Sequence, residues 1–253
     1  MCSGGGGFEQ VDRQAEDAEA GLAAVLEGFG FKSLELEGSG YGQAPDKTLQ
    51  RVTSDTLALA GFILPLKDVK TLIELGTGTG ALALIAARSD KALRVTGVEL
   101  HPQAAACAAG NVRSNFLEDR VEVVEQDWRG LYDRFPEGAF DLVVSNPPYI
   151  KKGTGRVSPN SHRALARHES AGTLAELVDV AAYLAGEQGR AAFVYPTGRF
   201  CELLGELQRK GLVLRRLAFV YTLKQQGGDE YPGLFLVEFG CCGGFRVERA
   251  VFI

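Results

Sequence analysis

Residues 73–81 read Ile73-Glu74-Leu75-Gly76-Thr77-Gly78-Thr79-Gly80-Ala81, an apolar run that passes through three alternating glycines into an alanine-rich segment. This is the pattern of a strand that turns sharply into a helix. Glycines let the backbone turn tightly and leave no Cβ between the loop and a ligand, and the helix start offers N–H groups to a negative charge. The spacing is G-x-G-x-G, not the G-x-G-x-x-G of dinucleotide sites, and an acid, Glu74, stands two residues before the first glycine. A pyrophosphate would be repelled by Glu74, whereas the ammonium of an amino acid would be attracted.

Outward from this loop the chain alternates regularly. Thr71–Leu75 reads as a buried strand, 81–88 as a helix and 95–98 as a second strand, and Pro102 stands at a helix first turn, where its missing N–H costs nothing. Strands follow at 121–124 and 140–144, then a long polar loop, a helix near 172–186, a strand at 190–195 and a helix near 199–210. Strands at 213–221 and 233–239 come without a helix between them. Alternation of this kind predicts an α/β protein with a Rossmann-like, doubly wound and mostly parallel sheet. The directly joined last pair predicts an antiparallel strand near the C-terminal edge.

Two further acids fall at strand ends, in the crevice where such sheets bind ligands. Glu99, with Leu100 beside it, closes the second strand 19 residues after Gly80, where a carboxylate would accept ribose hydroxyls. Asp127, with Trp128, closes the third, where it or its neighbours would meet an adenine. Either acid also reads as a helix cap. Together with Glu74 and the loop residues Gly76, Thr77, Gly78, Thr79 and Gly80, they describe a site for an adenosine with a zwitterionic tail and no pyrophosphate, that is, S-adenosyl-L-methionine. On these residues the chain resembles the class I S-adenosylmethionine-dependent methyltransferases over about residues 50–240.

The fourth strand ends in Ser145-Asn146-Pro147-Pro148-Tyr149-Ile150. Consecutive prolines fix φ and remove two donors, which holds the Pro147 carbonyl rigidly. Asn146 adds a second acceptor and Tyr149 a flat face. An amine that must be methylated needs this set: two acceptors for its hydrogens and a stacking platform. Preorganised acceptors strengthen as positive charge builds on nitrogen, and orientation toward the donor contributes the rest. In isolation the motif reads as a rigid turn. After the fourth strand of this fold it is similar to the corner of enzymes that methylate adenine N6, cytosine N4 or a glutamine amide.

Between Asp141 and Glu169 there is no acid, while Lys151, Lys152, Arg156, Arg163 and Arg167 lie there with His162 and His168. Such a run beside the corner reads as a phosphate track or as a solvated loop. A second acid-free stretch runs from Arg209 to Lys224 and holds Arg215 and Arg216. The run from Asn146 through Arg156, together with Ala166-Arg167-His168-Glu169, closely resembles the bacterial tRNA(Val) adenine-N6 methyltransferase family. That family has an Arg and an Asp before its glycine loop, and Arg51 and Asp55 are similar. The resemblance implies that Asp55 helps hold the methionine ammonium; a plain helix cap is its other reading. It also implies RNA, most directly tRNA, as the partner, with Lys151, Lys152, Arg156, Arg163, Arg167 and His168 against it and the target base flipped into the Asn-Pro-Pro-Tyr pocket. A glutamine-amide methyltransferase and a non-catalytic RNA-binding module on the same fold are the alternatives.

Composition sets the outer bounds. With 253 residues, 45% hydrophobic and 23% charged, the chain has an ordinary globular make-up. No run of 18 apolar residues suggests a spanning helix. The net charge of −5 speaks against nucleic acid only until it is divided. Residues 1–50 hold 9 acids and 3 basic residues, so the remaining 203 carry 24 basic against 23 acidic side chains. We therefore expect an acidic extension over residues 1–50 and a methyltransferase domain over 51–253. The five cysteines show no metal-ligand spacing; they read as free thiols of a cytoplasmic protein with no metal.

Overall fold

In the computed structural model, which describes residues 53–147, 172–221 and 231–253, Thr71–Leu75 forms strand β1 inside a sheet of nine strands. Its neighbours are β2 (Arg94–Glu99) and β4 (Leu142–Ser145), both parallel to it. Beyond β2 lies β3 (Val121–Glu125), and beyond β4 lies β5 (Arg190–Pro196), again parallel. The strand order β3-β2-β1-β4-β5 reverses between β1 and β4. At such a switch point the connections depart to opposite faces and leave a crevice above the strand ends. The division expected at residue 50 lies outside the described residues.

Burial on both faces explains why these strands read so clearly. Leu72, Ile73, Glu74 and Leu75 are all buried, as parallel strands covered by helices must be. Ile73 and Leu75 share a core with α4 (Leu174–Ala185) and α5 (Phe200–Arg209). The opposite face is covered by α1 (Ser54–Ile63), α2 (Ala81–Ser89) and α3 (Pro102–Ser114). Local chemistry sets several boundaries. The Thr173 hydroxyl accepts the Glu176 amide, and Glu176 accepts the Thr173 amide, a capping box that starts α4. Pro102 occupies the first turn of α3.

The antiparallel strand is present, but not at the margin. β7 (Leu234–Gly240) runs antiparallel to β5 on one side and to β6 (Val213–Tyr221) on the other. The last strand of the joined pair is inserted between two earlier ones, which chain adjacency does not reveal. Two short strands, β8 (Arg246–Val247) and β9 (Val251–Phe252), then pair with β6. A 3-10 turn, η1 (Trp128–Asp133), follows β3 and was not anticipated either. Among the described residues no helix is long and apolar enough to cross a membrane.

Candidate functional site

The glycine loop leaves β1 at the switch point, and three positive φ angles shape it: +79° at Gly76, +58° at Gly78 and +84° at Gly80. Beside Gly76 the space where a Cβ would stand is open within 4 Å, so a ligand can approach the backbone there. At Gly80 a Cβ would instead lie 3.3 Å from Ala108, which seats the helix start against α3. Asn111, fully buried, donates from Nδ2 to the Thr79 carbonyl at 2.9 Å and ties the loop to the same helix.

Glu74 lies beneath this loop with 3% of its surface exposed. Its Oε2 accepts the Thr77 hydroxyl at 2.6 Å and the Ala83 amide at 3.1 Å. Burial pushes its carboxyl up to about 8, against those two hydrogen bonds, and the nearby Glu99 carboxylate adds to the rise. Glu99, at the end of β2, accepts the Gly78 amide on Oε2 and the His101 amide on Oε1, each at 2.9 Å. The amides that could meet a phosphate are already engaged: Gly78 with Glu99, Ala83 at the helix start with Glu74, and Gly76 and Thr77 with the Val98 carbonyl. Glu74 stands where a pyrophosphate would need no acid and an ammonium needs an acceptor, and Glu99 closes β2 where a vicinal diol needs one. The donor set fits S-adenosylmethionine and not a dinucleotide. Leu100 adjoins Glu99 on the turn into α3, half-buried.

The capping alternatives divide. Asp127 is the N-cap of η1: its Oδ1 accepts the Arg129 amide at 2.9 Å. The Arg129 guanidinium also bonds both carboxylate oxygens, and this contact holds the Asp127 carboxyl below its usual range. Trp128 is turned into the core rather than along the rim. Glu99 does not cap α3, whose N-cap is His101. Asp55 is not a cap either. It stands half-buried in the first turn of α1, and the N-cap is Thr53, which accepts the Thr56 amide at 3.4 Å.

Asn146 and Pro147 follow β4, next to β1 in the sheet. The Ser145 hydroxyl donates to the Leu75 carbonyl at 2.8 Å, so the two strand ends that carry the glycine loop and the corner are joined directly. Asn146 Nδ2 donates to Thr56 Oγ1 on α1 at 3.0 Å. Glu74, Glu99, Asp127 and Asn146 therefore all lie at the carboxyl ends of adjacent strands, as the spacing predicts. Pro148, Tyr149, Lys151, Lys152, Arg156, Arg163, Arg167 and His168 lie outside the described residues, as does Arg51.

In the second basic stretch, Arg215 and Arg216 are engaged by the protein's own carboxylates. Arg216 donates to Glu248, to Glu238 and to the Phe62 carbonyl, and lies over the Phe62 ring at 4.2 Å. Arg215 lies 3.5 Å from Glu238. The stretch is free of acids along the chain, but β7 and the segment after β8 bring carboxylates to it in space. Sequence reading also missed Thr56, Asn111 and Gly97. A Cβ on Gly97 would stand 3.0 Å from the Thr77 side chain, so this glycine in mid-strand makes room under the loop; an isolated glycine in β2 was the only signal.

Comparison with known proteins agrees with this geometry. Residues 55–171 match the methyltransferase small domain family. A tRNA1(Val) (adenine(37)-N6)-methyltransferase of Porphyromonas gingivalis (strain ATCC 33277) is 36% identical over 200 residues, covering 77% of this chain and 75% of the relative. One of the same name from Actinobacillus pleuropneumoniae serotype 7 is 31% identical, covering 79% of each chain. Among solved structures, a ribosomal protein L11 methylase of Lactobacillus delbrueckii subsp. bulgaricus superposes with a TM-score of 0.53 at 18% identity, over 77% of this chain and 82% of that one. That likeness supports the fold. The sequence likeness goes further: this chain belongs to the tRNA1(Val) (adenine(37)-N6)-methyltransferase family of S-adenosylmethionine-dependent enzymes.

Proposed function

We infer that this chain methylates the N6 amine of an adenine in tRNA, with Asn146 as the group that receives that amine. The observation that carries the inference is the 2.8 Å bond from Ser145 Oγ to the Leu75 carbonyl. It joins the start of the Asn146 corner to the strand that feeds the glycine loop, so an amine held at the one faces a methyl donor held at the other. The names of the relatives point to the same substrate.

Bound S-adenosylmethionine supplies an electrophilic methyl group. Glu74 and Asp55 flank the place of its ammonium, Glu99 takes the ribose hydroxyls, and Asp127 with its neighbours meets the adenine edge. The Asn146 side-chain oxygen and the Pro147 carbonyl accept the two hydrogens of the target amine, and Tyr149 stacks on the base. Gripping both hydrogens draws the nitrogen lone pair out of conjugation and aims it at the methyl. No strong base is needed, because the methylated nitrogen loses its proton readily to water. Lys151, Lys152, Arg156, Arg163, Arg167 and His168 run along the RNA backbone, and the protein works in the cytoplasm with its substrate.

The test is transfer of tritium from labelled S-adenosylmethionine to tRNA from a strain lacking the enzyme. Label in tRNA as N6-methyladenosine, lost with Asn146→Ala, is the expected result. A cofactor-binding protein that labels no RNA would overturn it, and label appearing in protein instead would identify a glutamine amide as acceptor.

A further inference from the structure

We propose that Thr56 is a positioning residue which decides the orientation of the Asn146 amide; the inference rests on the reading of Asn146 just given. A primary amide carries a donor and an acceptor of nearly equal size on one carbon. Only the oxygen can take a hydrogen from the target amine. With the amide turned over, an NH2 would face an NH2, and the grip on the substrate would become a repulsion between donors.

The fold resolves this ambiguity from a distance of 90 residues along the chain. Asn146 Nδ2 donates to Thr56 Oγ1 at 3.0 Å. Because nitrogen and oxygen diverge from the same carbon, anchoring the nitrogen on α1 directs Oδ1 away from that helix. Thr56 is held in turn. Its hydroxyl lies 3.2 Å from the hydroxyl of Thr53, which is the N-cap of α1 and accepts the Thr56 amide. Thr56 can therefore give its own hydrogen to Thr53 and keep a lone pair for Asn146. The orientation of the catalytic amide is thus built into a helix start, and the Thr53-Ser54-Asp55-Thr56 turn links that helix to the corner.

Two measurements separate this role from bulk packing. In the free protein, Thr56→Val keeps the volume and removes the acceptor, while Thr56→Ser keeps the acceptor. The Asn146 side-chain amide resonances, identified by their loss in Asn146→Ala, should shift upfield and exchange faster with water in Thr56→Val and stay in place in Thr56→Ser. In single-turnover transfer to tRNA, Thr56→Val should be slower by roughly ten- to a hundredfold, less than the loss of a whole preorganised group. S-adenosylhomocysteine affinity and KM for tRNA should change less than about threefold, and Thr56→Ser should recover the rate. Unchanged Asn146 resonances in Thr56→Val, or a Thr56→Ser as slow as Thr56→Val, overturn the proposal. A wild-type enzyme that labels no tRNA while the resonances respond overturns the functional reading alone. If Thr56→Val melts early, the Thr56→Val/Asn146→Ala double variant decides: no loss beyond Asn146→Ala supports coupling through the amide, and an additive loss refutes it.

Discussion

Thr77 and Glu74 are joined beneath the glycine loop by a hydrogen bond of 2.6 Å, and this bond belongs to a carboxyl that burial raises to about 8. In the unfolded chain the same group ionises near 4.5. Between those two values folding takes up a proton, so stability falls as pH rises, by at most about 1.4 kcal/mol per pH unit. Glu74→Gln should flatten the dependence of urea-unfolding free energy on pH across that window. A cofactor ammonium beside Glu74 favours its ionised form. Calorimetry of S-adenosylmethionine binding in two buffers of different ionisation enthalpy should therefore show proton release at pH values below about 8 in wild type, and none in Glu74→Gln.

Arg129 occupies both oxygens of Asp127, which also accepts the Arg129 amide. An adenine amine seeking that carboxylate competes with the guanidinium. Arg129→Ala should bind S-adenosylhomocysteine a few-fold more tightly, at little cost in stability because the pair is partly exposed. Asp127→Asn should bind it about tenfold more weakly, the worth of one charge-assisted hydrogen bond. Equal affinities in all three proteins would leave Asp127 as a cap and nothing more.

Gly97 and Gly205 make a matched pair. A Cβ on Gly97 meets Thr77 at 3.0 Å, while on Gly205, inside α5, it meets nothing within 4 Å. Gly205→Ala should stabilise the protein by about 0.5–1 kcal/mol, the helix preference of alanine. Gly97→Ala should cost about 1–3 kcal/mol through overpacking, and it should weaken cofactor binding because Thr77 shifts with the loop. Melting curves and calorimetry on the two variants check both signs.

The parts of the fold that could be read from the chain are those whose environment is uniform. β1 was legible to the residue because a strand buried by helices on both faces shows in its own side chains. Acids at strand ends were legible for a related reason: a carboxylate that closes an apolar run marks the point where the strand leaves the core for the crevice. What escaped reading depends on partners distant in sequence. Nothing near Arg216 announces Glu238 or Glu248, and nothing in the order of β6 and β7 reveals that the later strand is inserted beside β5. β8 and β9 are two residues each and largely exposed, too short to carry a pattern. Thr56 and Asn146 meet only because α1 packs across the sheet.

The two basic stretches should respond differently to salt. Lys151→Ala or Lys152→Ala should lower the slope of log affinity against log salt for tRNA by about 1 each, the signature of a lost phosphate contact. Arg216→Ala should leave that slope unchanged and destabilise the protein by roughly 2 kcal/mol, because the guanidinium bridges two carboxylates and a carbonyl. Filter binding at several salt concentrations, with urea melts in parallel, distinguishes the two kinds of arginine and lysine.

The insertion of β7 between β5 and β6 has a consequence for how the protein is made. Among the described residues, every strand that pairs with β6, and the outer partner of β5, is encoded after β6 itself. A nascent chain that has finished β5 at Pro196 presents an unpaired apolar edge until Gly240 has emerged. At roughly 5–20 residues per second that interval is about 2 to 9 s. During it the ribosome holds a sheet whose open side can recruit any other strand, so the window of greatest aggregation risk lies between the synthesis of β5 and that of β7, and fragments that stop short of residue 234 should be the ones that chaperones retain.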